Sequence, residues 1–181
     1  SPLTLASSVT LGIVSNTRRV FTDFTGTRLE ELELEGEPTG LFTRWIQHDA
    51  LILPGNSGGP LVDLDGRIVG VNELGGAGVG FAIPAPLAQS VLEQILGEGR
   101  VRRADLGFVA LPVSKLGPPL AERGALVSSV TPGGPAERAG VKPGDRLIGL
   151  AGEPITVRFF EEVPELYRRI AALPIDAPVE L

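Results

Sequence analysis

The chain has 181 residues, no cysteine and a formal net charge of −6. The acidic balance argues against a nucleic-acid partner, and the absence of cysteine excludes disulfides, thiol nucleophiles and cysteine-based metal sites. No apolar run approaches the roughly 20 residues of a membrane-spanning helix, so the chain itself is expected to be soluble. Its 24 glycines and 16 prolines predict a turn-rich, mainly β fold.

The first predicted strand runs from Ser7 to Ser15. In it Val9, Leu11 and Ile13 alternate with small or polar residues, which predicts one buried face. Residues 16–40 contain a basic pair, a turn signal and an acidic run, and they predict a long exposed loop with short strands.

Two hairpins and a helix are predicted next. An Asp-Gly turn within residues 63–66 separates the apolar residues 61–62 from 68–71, and a glycine-rich turn at 75–78 leads into a return strand at 79–83. Pro84 and Pro86 then open a helix, and Gly97 and Gly99 lie beyond its predicted end. This helix closes a first predicted domain, residues 1–99, which is followed by a linker at 100–103.

The second predicted domain covers residues 104–181. It contains strands near 106–109, 124–130 and 147–150 and a short helical turn at 136–139. An amphipathic helix follows, with Pro164 in its first turn. Its apolar stripe consists of Val163, Leu166, Tyr167, Ile170 and Leu173.

The sequence GNSGGP at residues 55–60 is the strongest chemical signal. A serine between glycines can be presented on a sharp turn that a substrate backbone approaches closely. The backbone amides of Gly55 and Ser57 would then stabilise the oxyanion of an acyl-transfer intermediate. The alternative interpretation is a glycine-rich turn of an ordinary β protein.

His48 is the only histidine, and it lies nine residues before Ser57. A chain that must also shape the oxyanion hole cannot readily double back over so short a distance. We therefore interpret His48 as a surface or loop histidine rather than as the general base. The glycine-rich residues 75–80 and the acidic residues 63–66 match neither a phosphate loop nor a calcium loop, so no cofactor or metal site is predicted.

The chain resembles the HtrA (high-temperature-requirement) family of trypsin-like serine proteases. The resemblance implies a mainly β fold, in which the second six-stranded barrel of a chymotrypsin-fold protease is followed by a small α+β PDZ domain. The matching motifs are IQHDA at 46–50, GNSGGPLV at 55–62, GVN at 70–72 and VGFAIP at 79–84, with GGPA at 133–136 and AGVKPGD at 139–145 in the PDZ part.

The resemblance implies that Ser57 is the nucleophile and that Gly55 and Asn56 belong to the oxyanion-hole loop. It also implies that Leu51 to Pro54 and Asn72 to Val79 shape this hole and the specificity pocket. The family supplies its catalytic histidine and aspartate from a first β-barrel, which should precede residue 1. The chain is therefore expected to be inactive by itself.

The PDZ resemblance implies a groove for peptide C-termini. Backbone amides of the loop DLGF at 105–108, which contains Leu106 and Gly107, would hold the terminal carboxylate, and the strand that starts near Phe108 and continues through Val109 would pair with the peptide. Leu106, Phe108, Leu166 and Ile170 would form the pocket for the last side chain. For the two helix residues the alternative is ordinary core packing.

The function implied is a serine endopeptidase of protein quality control that degrades unfolded polypeptides and is regulated by PDZ binding of peptide C-termini. No cofactor is implied, and the implied partners include further copies of the chain. The implied compartment is the cell envelope or periplasm, with a membrane anchor allowed on the parent protein. The alternative function is a peptide-binding scaffold without catalysis.

Overall fold

The computed structural model describes residues 8–20, 33–34, 37–38, 42–116 and 123–181. The chain divides into two compact units, residues 1–20 with 43–101 and residues 21–42 with 102–181. None of the helices in the described ranges is long and apolar enough to cross a membrane. The predicted mainly β fold is confirmed, because both units are built on β-sheets.

The strands preceding the first helix are β1 (Val14–Arg19), β2 (Glu33–Leu34), β3 (Glu37–Pro38), β4 (Trp45–His48), β5 (Pro60–Val62), β6 (Ile68–Gly76) and β7 (Val79–Pro84). Strands β2 and β3 pair only with each other within the described ranges, whereas the other five form one antiparallel sheet in the order β1-β4-β7-β6-β5. The predicted barrel has six strands, of which this sheet accounts for five. Trp45 is 1% exposed and anchors the interior of the first unit.

The β6–β7 hairpin turns at Ala77 and Gly78, as predicted from the glycine-rich sequence. Both residues have left-handed φ values, 51° and 79°. Two consecutive left-handed residues match the twist of the flanking strands, and glycine adopts this conformation without strain. The turn leads into β7, which brings Gly80 opposite His48 of β4.

The β5–β6 hairpin is organised by the carboxylate of Asp63. Its Oδ1 accepts the backbone amides of Asp65 (3.0 Å) and Arg67 (2.9 Å), and its Oδ2 accepts Arg67 Nε at 2.8 Å. The Arg67 amide, followed by the Arg67 side chain, lowers the pKa of Asp63 below its usual value. The predicted Asp-Gly turn is therefore confirmed, with Gly66 at φ 79°.

Replacing Asp63 by asparagine should lower the stability of the first unit near neutral pH. A carboxyl whose pKa is lowered by folding stabilises the fold at pH values above its pKa in the unfolded chain, about 3.9. This contribution disappears as the pH falls through the pKa of the folded state. Denaturant unfolding followed by Trp45 fluorescence should give the two proteins different free energies of unfolding at about pH 7 and equal ones at about pH 2. The same difference at both pH values would contradict this role of the carboxylate.

The predicted helix is confirmed as α1 (Ala85–Glu98), although Gly97, predicted to lie beyond its end, is inside it. Proline at its start matches the first-turn preference, and Gly99 ends it at φ 71° with its amide donating to the Ile95 carbonyl. None of its residues is fully buried, and Leu96 is among the exposed apolar side chains.

The first predicted strand is wrong over most of its described length. Pairing with β4 begins only at Val14, and Val9, Leu11 and Ile13 are exposed rather than buried. Alternation predicts a buried face only where another layer covers it. The described residues supply no such layer here, although Ile13 still exchanges hydrogen bonds with Asp49.

The described residues of the second unit contain two short α-helices, α2 (Pro135–Arg138) and α3 (Val163–Ala171), and two small sheets in addition to the β2–β3 pair. One sheet has the order β10-β9-β8, and β11 pairs with β12 in the other. Both helices begin with proline in the first turn and were predicted. The strands are β8 (Phe108–Leu111), β9 (Ala125–Val130), β10 (Arg146–Leu147), β11 (Gly149–Leu150) and β12 (Glu153–Pro154).

The core of the second unit lies between its sheets and α3. The helix buries Val163, Leu166, Tyr167 and Ile170, so the predicted amphipathic stripe is confirmed for these residues. Leu173 packs against the same core from beyond the end of the helix. The other buried members are Phe108, Ala110, Ala125, Val127, Ala136, Leu147, Leu150, Ile155 and Val157.

Candidate functional site

The loop that carries Ser57 is a pair of tight turns. The amide of Asn56 donates to the Leu53 carbonyl at 2.9 Å, and the amide of Gly59 donates to the Asn56 carbonyl at 3.0 Å. Gly55 and Gly58 have φ values of 101° and 83°, which a residue with a side chain adopts only at a cost. The glycines on both sides of Ser57 therefore follow from the backbone conformation.

Strand β6 holds this loop in place through Asn72. The amide of Gly58 donates to the Asn72 carbonyl at 2.7 Å, and the amide of Asn72 donates to the Gly59 carbonyl at 2.9 Å. The Asn72 side-chain amide lies 3.4 Å from the Pro60 carbonyl. The loop thus continues the β5–β6 ladder, and the side chain of Asn72 reaches the same segment.

Ser57 is exposed, and its hydroxyl donates to the Glu73 carbonyl at 2.8 Å. A serine hydroxyl becomes a strong nucleophile only when a general base accepts its proton. In this arrangement the proton is directed to a backbone carbonyl, which is a poor base. Before it can attack a substrate, the hydroxyl must break its hydrogen bond to the Glu73 carbonyl and donate a hydrogen bond to a general base.

Two backbone amides beside Ser57 have no partner among the described residues. Neither the amide of Gly55 nor that of Ser57 donates a hydrogen bond there, whereas the intervening Asn56 amide is bonded. Such alternation leaves two backbone donors next to the hydroxyl without a described partner. An oxyanion hole uses two donors of this kind, so these amides are the candidates for one.

The prediction that His48 lies on the surface or in a loop is wrong. His48 ends strand β4, is 1% exposed, and places its Nε2 3.1 Å from Asn72 Oδ1. Because an amide oxygen accepts hydrogen bonds, we assign the proton to Nε2. His48 pairs with Asn72 and not with Ser57, which agrees with excluding it as the base of Ser57.

Ile52 connects the two loops predicted to shape the specificity pocket. A Cβ atom placed on Gly75 would lie 2.4 Å from Ile52 Cβ, and one placed on Gly80 would lie 2.9 Å from Ile52 Cγ1 and 2.3 Å from His48 Cε1. These distances leave no room for any side chain at either glycine. The absence of side chains at 75 and 80 thus lets Ile52 and His48 pack on the β6–β7 hairpin.

In the second unit the predicted carboxylate-binding residues form a well-anchored loop. Gly107 has φ 74°, its amide donates to the Asp105 carboxylate at 2.9 Å, and its carbonyl accepts the amide of Thr131 at 2.8 Å. The Leu106 carbonyl accepts the amide of Ala136 at 2.9 Å. Within this structure the Gly107 amide is therefore engaged by Asp105.

The predicted pocket residues come together in the core of the second unit. Phe108, Leu166 and Ile170 are buried there, Leu106 packs against them, and Val109 is half-buried on β8. The two helix residues, Leu166 and Ile170, are packed in the core, as the alternative interpretation holds. Their role in peptide binding stays a prediction.

A cavity of about 450 Å³ opens beside the same loop. Arg103, Asp105, Leu106 and Arg138 line it together with residues 173–179. Within the described ranges no group of three or more histidine, aspartate or glutamate side chains could hold a metal ion.

Sequence reasoning missed Asn72 as a positioning residue. A weak signal existed, because Asn72 directly follows the apolar residues 68–71 of a strand, and a buried asparagine must find a hydrogen-bond partner. The identity of that partner, His48, depends on the pairing of β4 with β7 and of β7 with β6. Such pairing cannot be read from local sequence.

Two family models match the chain. One, described as a trypsin-like peptidase domain, matches residues 2–71, and one described as a PDZ domain matches residues 126–180. The first contains the Ser57 loop, and the second contains α3 and all of β9 except Ala125.

Curated relatives include the periplasmic serine endoproteases DegP of Salmonella typhimurium and Escherichia coli K12. The former is 34% identical over 191 residues, covering 100% of this chain and 36% of the relative. The latter is 37% identical over 166 residues, covering 86% and 32%. The chain therefore spans about a third of the length of these relatives.

Solved structures with the same fold include the HtrA-type protease AlgW with a decapeptide and with a tripeptide. The decapeptide complex matches with a TM-score of 0.68 at 32% identity, over 96% of this chain and 50% of that one. The tripeptide complex matches with a TM-score of 0.70 at 32% identity, over 94% of this chain and 54% of that one. The serine endoprotease from Yersinia pestis matches with a TM-score of 0.62 at 31% identity, over 95% of this chain and 50% of that one. With a trypsin-like segment followed by a PDZ domain, the chain belongs to the HtrA family and corresponds to its C-terminal protease and PDZ region.

Proposed function

We propose that the chain carries the nucleophile and the oxyanion hole of a serine endopeptidase that degrades unfolded polypeptides. One observation carries the proposal: an exposed serine hydroxyl lies beside two backbone amides that have no partner among the described residues. The names of the relatives support the same chemistry and a periplasmic location.

In the proposed reaction Ser57 Oγ bonds to the scissile carbonyl carbon, and a general base takes the hydroxyl proton. The Gly55 and Ser57 amides stabilise the oxyanion, and its collapse expels the amine, which receives the proton from the base. Water then hydrolyses the acyl ester by the same steps. We place the base and its orienting carboxylate outside these 181 residues, because the only histidine is paired with Asn72.

The side chain of Asn56 supports activation of the protease by a rearrangement of loops. Its side-chain amide donates to the Leu51 carbonyl at 3.3 Å, so it bonds within its own loop. A neutral amide forms no ion pair with a newly cut N-terminus. We therefore infer that substrate or peptide binding, rather than cleavage of a proenzyme, moves Ser57 away from Glu73.

For the second unit we propose binding of peptide C-termini, which regulates the protease. Edge strand β8 and helix α3 form the two sides of a site for strand addition. The match to AlgW structures with a decapeptide and a tripeptide supports a peptide ligand. We also propose that the working enzyme is a homo-oligomer.

The alternative is a scaffold that binds peptides without catalysis. The hydrogen bond from Ser57 to the Glu73 carbonyl favours it, because that hydroxyl is not activated. The two functions differ in what the complete protein does to an unfolded substrate.

The experiment compares cleavage of unfolded casein by the complete protein and by residues 1–181 alone. We expect new peptide termini from the complete protein and none from the fragment, because the base lies outside the fragment. An inactive complete protein that still binds peptide C-termini would support the scaffold. Cleavage by the fragment alone would contradict the placement of the base.

A further inference from the structure

Strand β8 is an edge strand, and one of its two edges pairs with no described strand. Among the described strands it pairs only with β9, at one end of the β10-β9-β8 sheet. The free edge of such a strand presents backbone amides and carbonyls at alternate residues. A peptide that adds to β8 has to bond to these groups.

A side chain of the same unit already occupies this edge. The amide of Ala110 donates to the Tyr167 hydroxyl at 2.9 Å, and that hydroxyl donates to the Phe108 carbonyl at 3.3 Å. Tyr167 lies on α3, so these bonds cross from the helix to the strand. They are separate from the pairing between β8 and β9.

The hydroxyl reproduces what one residue of an added strand would offer. A peptide residue presents a carbonyl that accepts and an amide that donates, and the phenol does both through one oxygen. Phe108 and Ala110 are two residues apart, which is the spacing of groups on the same edge. A peptide therefore cannot bond to both groups while the Tyr167 hydroxyl remains there.

The ring of Tyr167 is packed as well as hydrogen-bonded. Its side chain is 6% exposed, and the Phe42 ring meets it edge-on with centroids 5.9 Å apart at 68°. The guanidinium of Arg103 lies 4.8 Å from the centroid of Phe42. Moving the hydroxyl thus disturbs an aromatic contact in addition to two hydrogen bonds.

We propose that Tyr167 occupies the peptide site of the resting second unit, and that a peptide with a free C-terminal carboxylate binds by displacing the Tyr167 hydroxyl from β8. The inference rests on the proposed peptide-binding function. Under this proposal Tyr167 lowers the apparent affinity for peptide, because a peptide can bind only to those molecules in which the Tyr167 hydroxyl has left the edge of β8.

The Tyr167→Phe substitution removes the competing hydroxyl and retains the ring. In the free protein the amide of Ala110 and the carbonyl of Phe108 then lack this partner, and a bound peptide supplies one. We expect peptide to bind about tenfold more tightly to the variant. Arg169→Gln is the matched control on the same helix, because Arg169 bonds to the Pro154 carbonyl of β12 and not to β8.

The binding measurement uses residues 1–181 and decapeptides that end in Val, Leu, Ile or Phe with a free carboxylate. Amidated copies of the same peptides test whether the carboxylate is recognised. Tighter binding to Tyr167→Phe, with Arg169→Gln unchanged, supports the inference. Equal or weaker binding to Tyr167→Phe overturns it while the proposed peptide binding stands, and binding to none of the proteins overturns both.

A second readout needs no substitution. The chain contains one tyrosine, so ¹³Cζ-labelled tyrosine gives a signal that reports on Tyr167 alone. Saturating peptide should shift this signal as the phenol leaves the two backbone groups. A peptide that saturates the protein and leaves the signal in place would overturn the displacement even if the phenylalanine variant failed to fold.

Discussion

Replacing Ser57 by alanine in the complete protein is expected to lower kcat by a factor on the order of 10⁶, as is typical when a serine protease loses its nucleophile. In the proposed mechanism the hydroxyl oxygen of Ser57 forms the acyl ester, and the described loop brings no second hydroxyl to the Gly55 and Ser57 amides. The amides remain, so a small residual rate over water should persist. Cleavage of unfolded casein under single-turnover conditions measures the loss.

The control for this prediction is Ser90→Ala. Ser90 is exposed on α1, where its hydroxyl makes no hydrogen bond to a described residue. Both substitutions should change the free energy of unfolding by less than about 0.5 kcal/mol, since both sites are on the surface. A Ser57→Ala protein that keeps more than a small fraction of its kcat would remove Ser57 from the mechanism.

The Gly80→Ala substitution should destabilise the first unit by about 1 to 3 kcal/mol. The added methyl group would lie 2.3 Å from His48 Cε1 and 2.9 Å from Ile52 Cγ1, so the imidazole ring and Ile52 must both shift. His48 is hydrogen-bonded to the Asn72 side chain, and the Asn72 backbone bonds to the loop that carries Ser57. We therefore expect kcat to fall together with stability.

Gly76→Ala is the matched control, because a Cβ atom at this position of the same hairpin meets no atom within 4 Å. It should change stability by less than about 0.5 kcal/mol. Denaturant unfolding followed by the fluorescence of Trp45, the only tryptophan of the chain, measures both variants. Equal stability of the two proteins would mean that the space beside His48 is not tightly packed.

The hairpins and helices were predictable because their signals are local. The Asp63 carboxylate bonds to amides within four residues, and Gly99 ends α1 through a bond to Ile95. The alternation of Val9 with Leu11 failed as a strand signal because burial depends on what covers a face, and periodicity does not contain that information.

The site was predictable in part for the same reason. The glycines around Ser57 are required by its loop, so their pattern identifies the loop without any tertiary contact. The pairing of His48 with Asn72 joins residues 24 apart, and that of Tyr167 with Ala110 joins residues 57 apart. Neither pair has a sequence signal, because each depends on which strands and helices become neighbours.

The central claim is that Ser57 is the nucleophile of a peptidase, and covalent labelling tests it most directly. The complete protein is treated with diisopropyl fluorophosphate, which phosphorylates activated serines by losing fluoride, and the modified peptide is located by mass spectrometry. We predict one adduct, on Ser57, with loss of casein cleavage in proportion to labelling. An active protein that acquires no adduct, or whose adduct lies on another residue, would contradict the claim.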